Sequence, residues 1–172
     1  MDRLHRLIVI RHAKSDHPMG VSDHERPLTA RGERDASRIG GWLTENVGDP
    51  DLATGVAVST ARRAQQTWRL LNGVWGYAHP VIDEPRIYEA SPSTLRLVAD
   101  ELAVFPTILL VGHNPGLSLL VSELAAPSRL RSEAQAHFPT SAVAVLETDR
   151  PWHEGLAGTG LFELSSFGIP RG

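Results

Sequence analysis

Leu7-Ile8-Val9-Ile10-Arg11-His12-Ala13-Lys14 sets four branched apolar residues directly against two cations and an imidazole. A short apolar run without polar alternation reads as a strand covered on both faces, because a half-exposed strand would carry a polar residue at every second place. Comparable runs follow at Val56-Ala57-Val58, Ile108-Leu109-Leu110-Val111 and Ala142-Val143-Ala144-Val145-Leu146, with a weaker one at Leu161-Phe162-Glu163-Leu164. Between them the spacing turns helical: Ala36, Ile39, Gly40 and Leu43 share one face, as do Leu95, Val98, Ala99 and Leu102, and Leu117, Leu120, Val121 and Leu124. Ser91 before Pro92 and Asn114 before Pro115 each place a capping side chain ahead of a proline suited to the first helical turn, and Thr29 can cap the first helix. Strands alternating with helices predict an α/β fold, a three-layer αβα sandwich around a mainly parallel sheet, as a single domain over residues 1–172. The weakly periodic stretch 126–138 predicts a mobile loop near the site.

In such a sheet, ligands gather at the carboxyl ends of the strands. Three apolar runs finish there in polar clusters: Arg11-His12-Ala13-Lys14, Ser59-Thr60-Ala61-Arg62-Arg63 and Gly112-His113-Asn114-Pro115. Each alone is a polar strand end, a solvated helix face or a capped turn. Together they bring two imidazoles and several cations to one rim, where they repel one another unless an anion lies between them. Phosphate suits that demand, since arginine offers paired planar donors to its oxygens.

Composition narrows the partners. With 17 Lys and Arg against 20 Asp and Glu the formal charge of the 172-residue chain is −3, so no global basic field draws nucleic acid or anionic membrane. There is no cysteine, which excludes disulfides, thiolate metal sites and a cysteine nucleophile. The apolar run after Met1-Asp2-Arg3-Leu4-His5-Arg6 is too short for a secretory or membrane segment, and the expectation is a soluble, cytoplasmic protein. Eight histidines raise a metal-dependent hydrolase as a rival, but none forms the His-Glu-x-x-His pair of a zinc helix. A second rival is a phosphate-binding module without turnover, for which a retained His12 would have no purpose.

The joint pattern resembles the histidine phosphatase superfamily, with its phosphoglycerate mutase-like fold. Leu7 to His12 is similar to its first strand and Arg-His-Gly signature. Ser59-Thr60-Ala61-Arg62-Arg63-Ala64-Gln65-Gln66-Thr67 resembles Ser-Pro-x-x-Arg-Ala-x-Gln-Thr, which puts the motif arginine on Arg63. Gly112-His113-Asn114-Pro115 resembles the second histidine segment, and Arg26-Pro27-Leu28-Thr29 with Gly32 the start of the first helix. Tyr88-Glu89-Ala90 brings Glu89 to the place of the family's acid. The length and these motifs resemble the compact bacterial phosphohistidine phosphatases.

The resemblance implies a phosphatase acting without cofactor or metal. His12 would be the nucleophile that carries a covalent phosphoryl group, held by Arg11, Arg63 and His113, with Glu89 as proton donor. Lys14 and Arg26 would extend the positive rim toward the substrate, and Ser59, Thr140 and Ser141 are further phosphate neighbours. The substrate would be a phosphorylated protein, with phosphohistidine foremost, or a small phosphorylated metabolite. Two departures stand out: Ala13 replaces the signature glycine and Thr60 the proline. A required positive φ would strain Ala13 by about 1 kcal/mol.

Overall fold

The computed structural model describes residues 4–51 and 53–171, so Met1-Asp2-Arg3, part of the opening segment read above, lies outside the described residues. Six strands form one sheet: β1 (His5–Arg11), β2 (Thr54–Val58), β3 (Ile82–Asp83), β4 (Thr107–Gly112), β5 (Val143–Thr148) and β6 (Glu163–Gly168). Their spatial order is β3-β2-β4-β1-β5-β6. The first four run parallel, β5 pairs antiparallel with β1, and β6 pairs antiparallel with β5 at the sheet edge. This is the expected mainly parallel sheet.

Helices α1 (Ala30–Asn46) and α2 (Arg62–Trp75) cover one face. The other face carries α3 (Pro92–Glu101), α4 (Gly116–Leu124), α5 (Arg129–Ala136) and α6 (Trp152–Ala157). Strand β1 serves both sides. Leu7 and Val9 pack toward α3 and α4, Ile8 and Ile10 toward α1 and α2, and all four are fully buried. Each such side chain contributes about 1.5–3 kcal/mol of transfer free energy, which explains why no polar residue interrupts the run. Trp68, Trp75 and Trp152 are buried in the same two cores.

Helix starts follow the capping chemistry. Thr29 Oγ1 accepts from the Gly32 amide at 3.0 Å and Ser91 Oγ from the Thr94 amide at 3.2 Å. Asn114 behaves differently, because α4 begins one residue later, at Gly116, with Pro115 at the cap position. Its carboxamide is stretched between two tasks, accepting from the Ser118 amide at 3.3 Å and donating to the Phe138 carbonyl at 2.8 Å.

Most of the stretch 126–138 is not a loop. It folds into α5, capped by Ser128 Oγ on the Arg131 amide at 3.1 Å. Only Ala134 of this helix is buried, so its sequence shows no apolar stripe. The weak last strand also moves, from Leu161–Leu164 to Glu163–Gly168, because the bridge between Phe162 and Ala125 ties the start of that run to the end of α4 instead.

Candidate active site

Strand β4 pairs with β1 and β2 on either side, and the register sets Arg11 opposite Gly112 and Val58 opposite Val111. The ladders continue one step past the strands: the His12 amide donates to the Gly112 carbonyl and the Ser59 amide to the Val111 carbonyl, each at 3.0 Å. His12, Ser59 and His113 are thereby held by backbone at one end of the sheet. The ring centroids of His12 and His113 lie 5.1 Å apart, and both residues are less than a tenth exposed.

The tautomer of His12 follows from its contacts. Nδ1 lies 2.7 Å from the Ala13 carbonyl, which can only accept, so Nδ1 bears the hydrogen. Nε2 is left with its lone pair, and Arg63 Nε donates to it at 3.3 Å. Burial above all, then repulsion from His113, Arg63 and Arg11, pushes the imidazole down to about 3 against the opposing pull of the Ala13 carbonyl. His12 is a neutral base in the free protein at neutral pH.

His113 Nε2 lies 2.7 Å from Ser59 Oγ, while its Nδ1 is buried with no hydrogen-bond partner among the described residues. Burial, then Arg63, lowers it to about 4, with Asp23 pulling the other way. An anion entering between the rings would reverse the effect and return its proton.

Arg63, on the first turn of α2, is buried, whereas Arg62 beside it is exposed. Besides His12 it donates from Nη1 to the Asp23 carbonyl at 2.7 Å and from Nη2 to Asp23 Oδ2 at 3.2 Å. Asp23 sits on a single turn of 3-10 helix, Asp23–Glu25, in the segment between β1 and α1. Tyr88 Oη donates to the same Oδ2 at 2.5 Å, and Arg26 Nη1 to Oδ1 at 2.9 Å. These donors, Tyr88 foremost, hold the Asp23 carboxyl well below the usual carboxylate range. The Tyr88 ring also meets the edge of His113 at 5.5 Å and lies 5.9 Å from the Arg63 guanidinium carbon. Thr67 Oγ1 completes the frame by accepting from the Ala13 amide at 3.0 Å and donating to the Arg63 carbonyl at 2.7 Å.

Arg11 is half-buried and donates from Nη1 to the Phe138 carbonyl at 2.9 Å, while its Nε is buried without a partner among the described residues. The four residues read from the strand ends, His12, Arg11, Arg63 and His113, thus stand in one electrostatic neighbourhood. The remaining expectations divide. Lys14 is exposed and lines a groove beside Arg11. Arg26 donates to the Asp16 carbonyl, Ser15 Oγ and Asp23, so its guanidinium braces the segment between β1 and α1. Glu89 is exposed, has φ of 56°, and lines a pocket of about 480 Å³ with His113 and Asn114. Ser59 touches His113, and the Ser141 amide donates to the His12 carbonyl at 3.1 Å. Asp23 escaped the sequence reading, and Thr67 and Tyr88 were read only as members of motifs, since the contacts that bring each to the site join distant parts of the chain. Among the described residues no three His, Asp or Glu side chains gather as a metal ion would need, and no helix is long and apolar enough to cross a membrane.

Known proteins share this fold. A family model, the histidine phosphatase superfamily (branch 1), matches residues 7–96, the span that holds Arg11, His12, Arg63 and Glu89. An uncharacterized protein of Mycobacterium tuberculosis is 38% identical over 175 residues, covering 94% of this chain and 100% of the relative. A solved structure from Nakamurella multipartitia, assigned as the phosphohistidine phosphatase SixA, superposes with a TM-score of 0.79 at 28% identity, covering 97% of this chain and 96% of that one. A structure of the protein histidine phosphatase SixA complexed with tungstate has the same fold, with a TM-score of 0.75 at 22% identity over 96% of this chain and 97% of that one.

Proposed function

The chain belongs to the histidine phosphatase superfamily and is a phosphatase, and from that premise we propose that it removes phosphoryl groups from phosphohistidine on a protein by way of a covalent intermediate on His12. The observation that carries this reading is the orientation of His12. Its Nδ1 hydrogen is fixed on the Ala13 carbonyl, and its Nε2 lone pair faces the Arg63 guanidinium.

The chemistry runs in two in-line displacements. His12 Nε2 attacks phosphorus, a P–N bond forms, and the bond to the leaving group breaks. Arg63, Arg11 and a reprotonated His113 spread the charge of the equatorial oxygens in a buried setting where such contacts are strong. Water then attacks the phosphorylated His12, phosphate departs, and the ring regains its lone pair. Glu89 gives a proton to the leaving atom and takes one from the water. A phosphohistidine leaving group can carry its proton beforehand, which makes that donor less necessary than it is for an alcohol. The likeness, at 28% identity, to a phosphohistidine phosphatase assigned as SixA supports the protein substrate.

Small phosphorylated metabolites form the second reading, favoured by the pocket of about 480 Å³ beside His113, which could hold a compact leaving group. The test is to quench turnover of a radiolabelled phosphohistidine peptide and map the label. Label on His12 and loss of turnover in His12→Asn are expected, whereas label on another residue overturns the mechanism. Relative rates on phosphohistidine peptide, phosphoserine peptide and sugar phosphate rank the substrates.

A further inference from the structure

Beside the phosphoryl site, and sharing Arg11 with it, lies a groove of about 430 Å³. Its cations come from four parts of the chain: Arg11 from the end of β1, Lys14 from the segment after it, Arg31 from the first turn of α1, and Arg171 from beyond β6. Residues 136–140 form the remaining wall, where the Phe138 carbonyl holds Arg11 Nη1 at 2.9 Å and the Thr140 carbonyl holds Arg171 Nη2 at 3.2 Å. No carboxylate is among the lining residues described. Among the described residues the acid that ion-pairs within the cluster is buried Asp35, whose Oδ2 lies 3.5 Å from Arg31 Nε, so the lining cations outnumber it.

In a chain of net charge −3 this concentration is local and self-repelling, and an anion relieves it. Arg11 feels it directly, because its basicity is lowered by burial, then by Arg171 and by Arg63. The groove and the phosphoryl site are therefore coupled through one guanidinium. Hydrolysis as derived above engages Arg11 and gives no role to Arg31 or Arg171. Both carry guanidinium forks on a concave surface, suited to a planar carboxylate or to phosphoryl oxygens.

We propose that this groove binds a second oxyanion of the substrate, a carboxylate or phosphate group separate from the phosphoryl group that is cleaved. The inference rests on the phosphatase reading. The shared chemistry has two sources, acidic side chains flanking a phosphohistidine on a protein and the second phosphate of a small bisphosphate, and the arms of the experiment separate them.

The measurement is kcat/KM for two matched pairs: a phosphohistidine peptide flanked by glutamates against the same peptide flanked by glutamines, and fructose bisphosphate against fructose monophosphate. The parent favours the more anionic member of at least one pair. In a variant combining Arg31→Gln with Arg171→Ala that preference falls about tenfold, in line with the loss of two charge-assisted contacts. Arg171→Ala alone gives up one hydrogen bond to Thr140, guards against misfolding of the double variant, and lowers the preference about threefold. A fall confined to the peptide pair assigns the second anion to a protein substrate, and a fall in the sugar pair assigns it to a metabolite. Either supports the groove. Preferences unchanged in both pairs overturn it. Equilibrium binding of fructose bisphosphate and of the unphosphorylated glutamate peptide to His12→Asn protein, with and without Arg171→Ala, reads the groove apart from turnover. Weakened binding of either probe supports it even where no label is found on His12, and unchanged binding of both overturns it even where the label is found.

Discussion

Ala13 stands where the family signature has glycine, and the structure removes the expected strain. The non-glycine residues with positive φ among those described are Glu89 and Ser141, so Ala13 keeps an ordinary backbone. Its side chain is fully buried and its two peptide groups do the work, the amide on Thr67 and the carbonyl on His12. Glu89 is the residue whose role depends most on the leaving group. Glu89→Gln keeps its size and loses its proton. On fructose monophosphate, whose alkoxide must be protonated, we expect kcat to fall about tenfold to a hundredfold, against less than about threefold on phosphohistidine peptide. Steady-state rates on both substrates check this, and equal losses would remove Glu89 from the acid's role.

At the level of elements, Gly32 ties α1 to the segment that follows β1. A Cβ added there would lie 2.1 Å from the Lys14 carbonyl oxygen, a backbone atom that cannot rotate aside. Gly32→Ala therefore forces the helix start and the Ala13–Lys14 backbone apart. The expected cost is about 1–3 kcal/mol, read as a lowered melting temperature, with kcat reduced more than KM because the carbonyl that orients His12 shifts. A variant that melts and turns over like the parent would show that the two segments can part freely. The sequence was readable where burial imposed a period: β1, β2, β4 and β5 follow from their unbroken apolar runs, and α1, α3 and α4 from their stripes. It was silent where an element owes its existence to neighbours. Strand β3 is two exposed residues, Ile82 and Asp83, that pair with β2, and α5 buries only Ala134. The four main candidate residues were legible because each ends or directly follows a strand or lies in the first turn of a helix. Asp23 and Tyr88 were not, because the hydrogen bond that joins them spans 65 positions between two loops.

For the whole molecule, the two imidazoles make stability depend on pH. His12 and His113 lie near 3 and 4 in the folded protein against an ordinary 6.5, so between those values the unfolded chain binds more protons. Their contribution is complete above about 6.5 and declines as pH falls toward the folded values. Asp23, also lowered, acts in the same direction in more acid solution. One unit of displacement is worth about 1.4 kcal/mol, a large share of a native stability of about 5–15 kcal/mol. The melting temperature should therefore fall from about pH 7 to about pH 4.5, more steeply in the parent than in His12→Asn. A flat profile would mean that the rings are already charged when folded. The carboxylate that clasps Arg63 has a consequence of its own. If Arg63 receives the phosphoryl oxyanion as proposed, that anion meets a tethered rival already seated on the guanidinium. Singly charged solutes such as chloride or acetate gain little by displacing it, whereas a doubly charged phosphoryl group, able to draw on Arg11 and both rings as well, can outbid it. On the proposed mechanism, Asp23 would thus filter which anions reach Arg63.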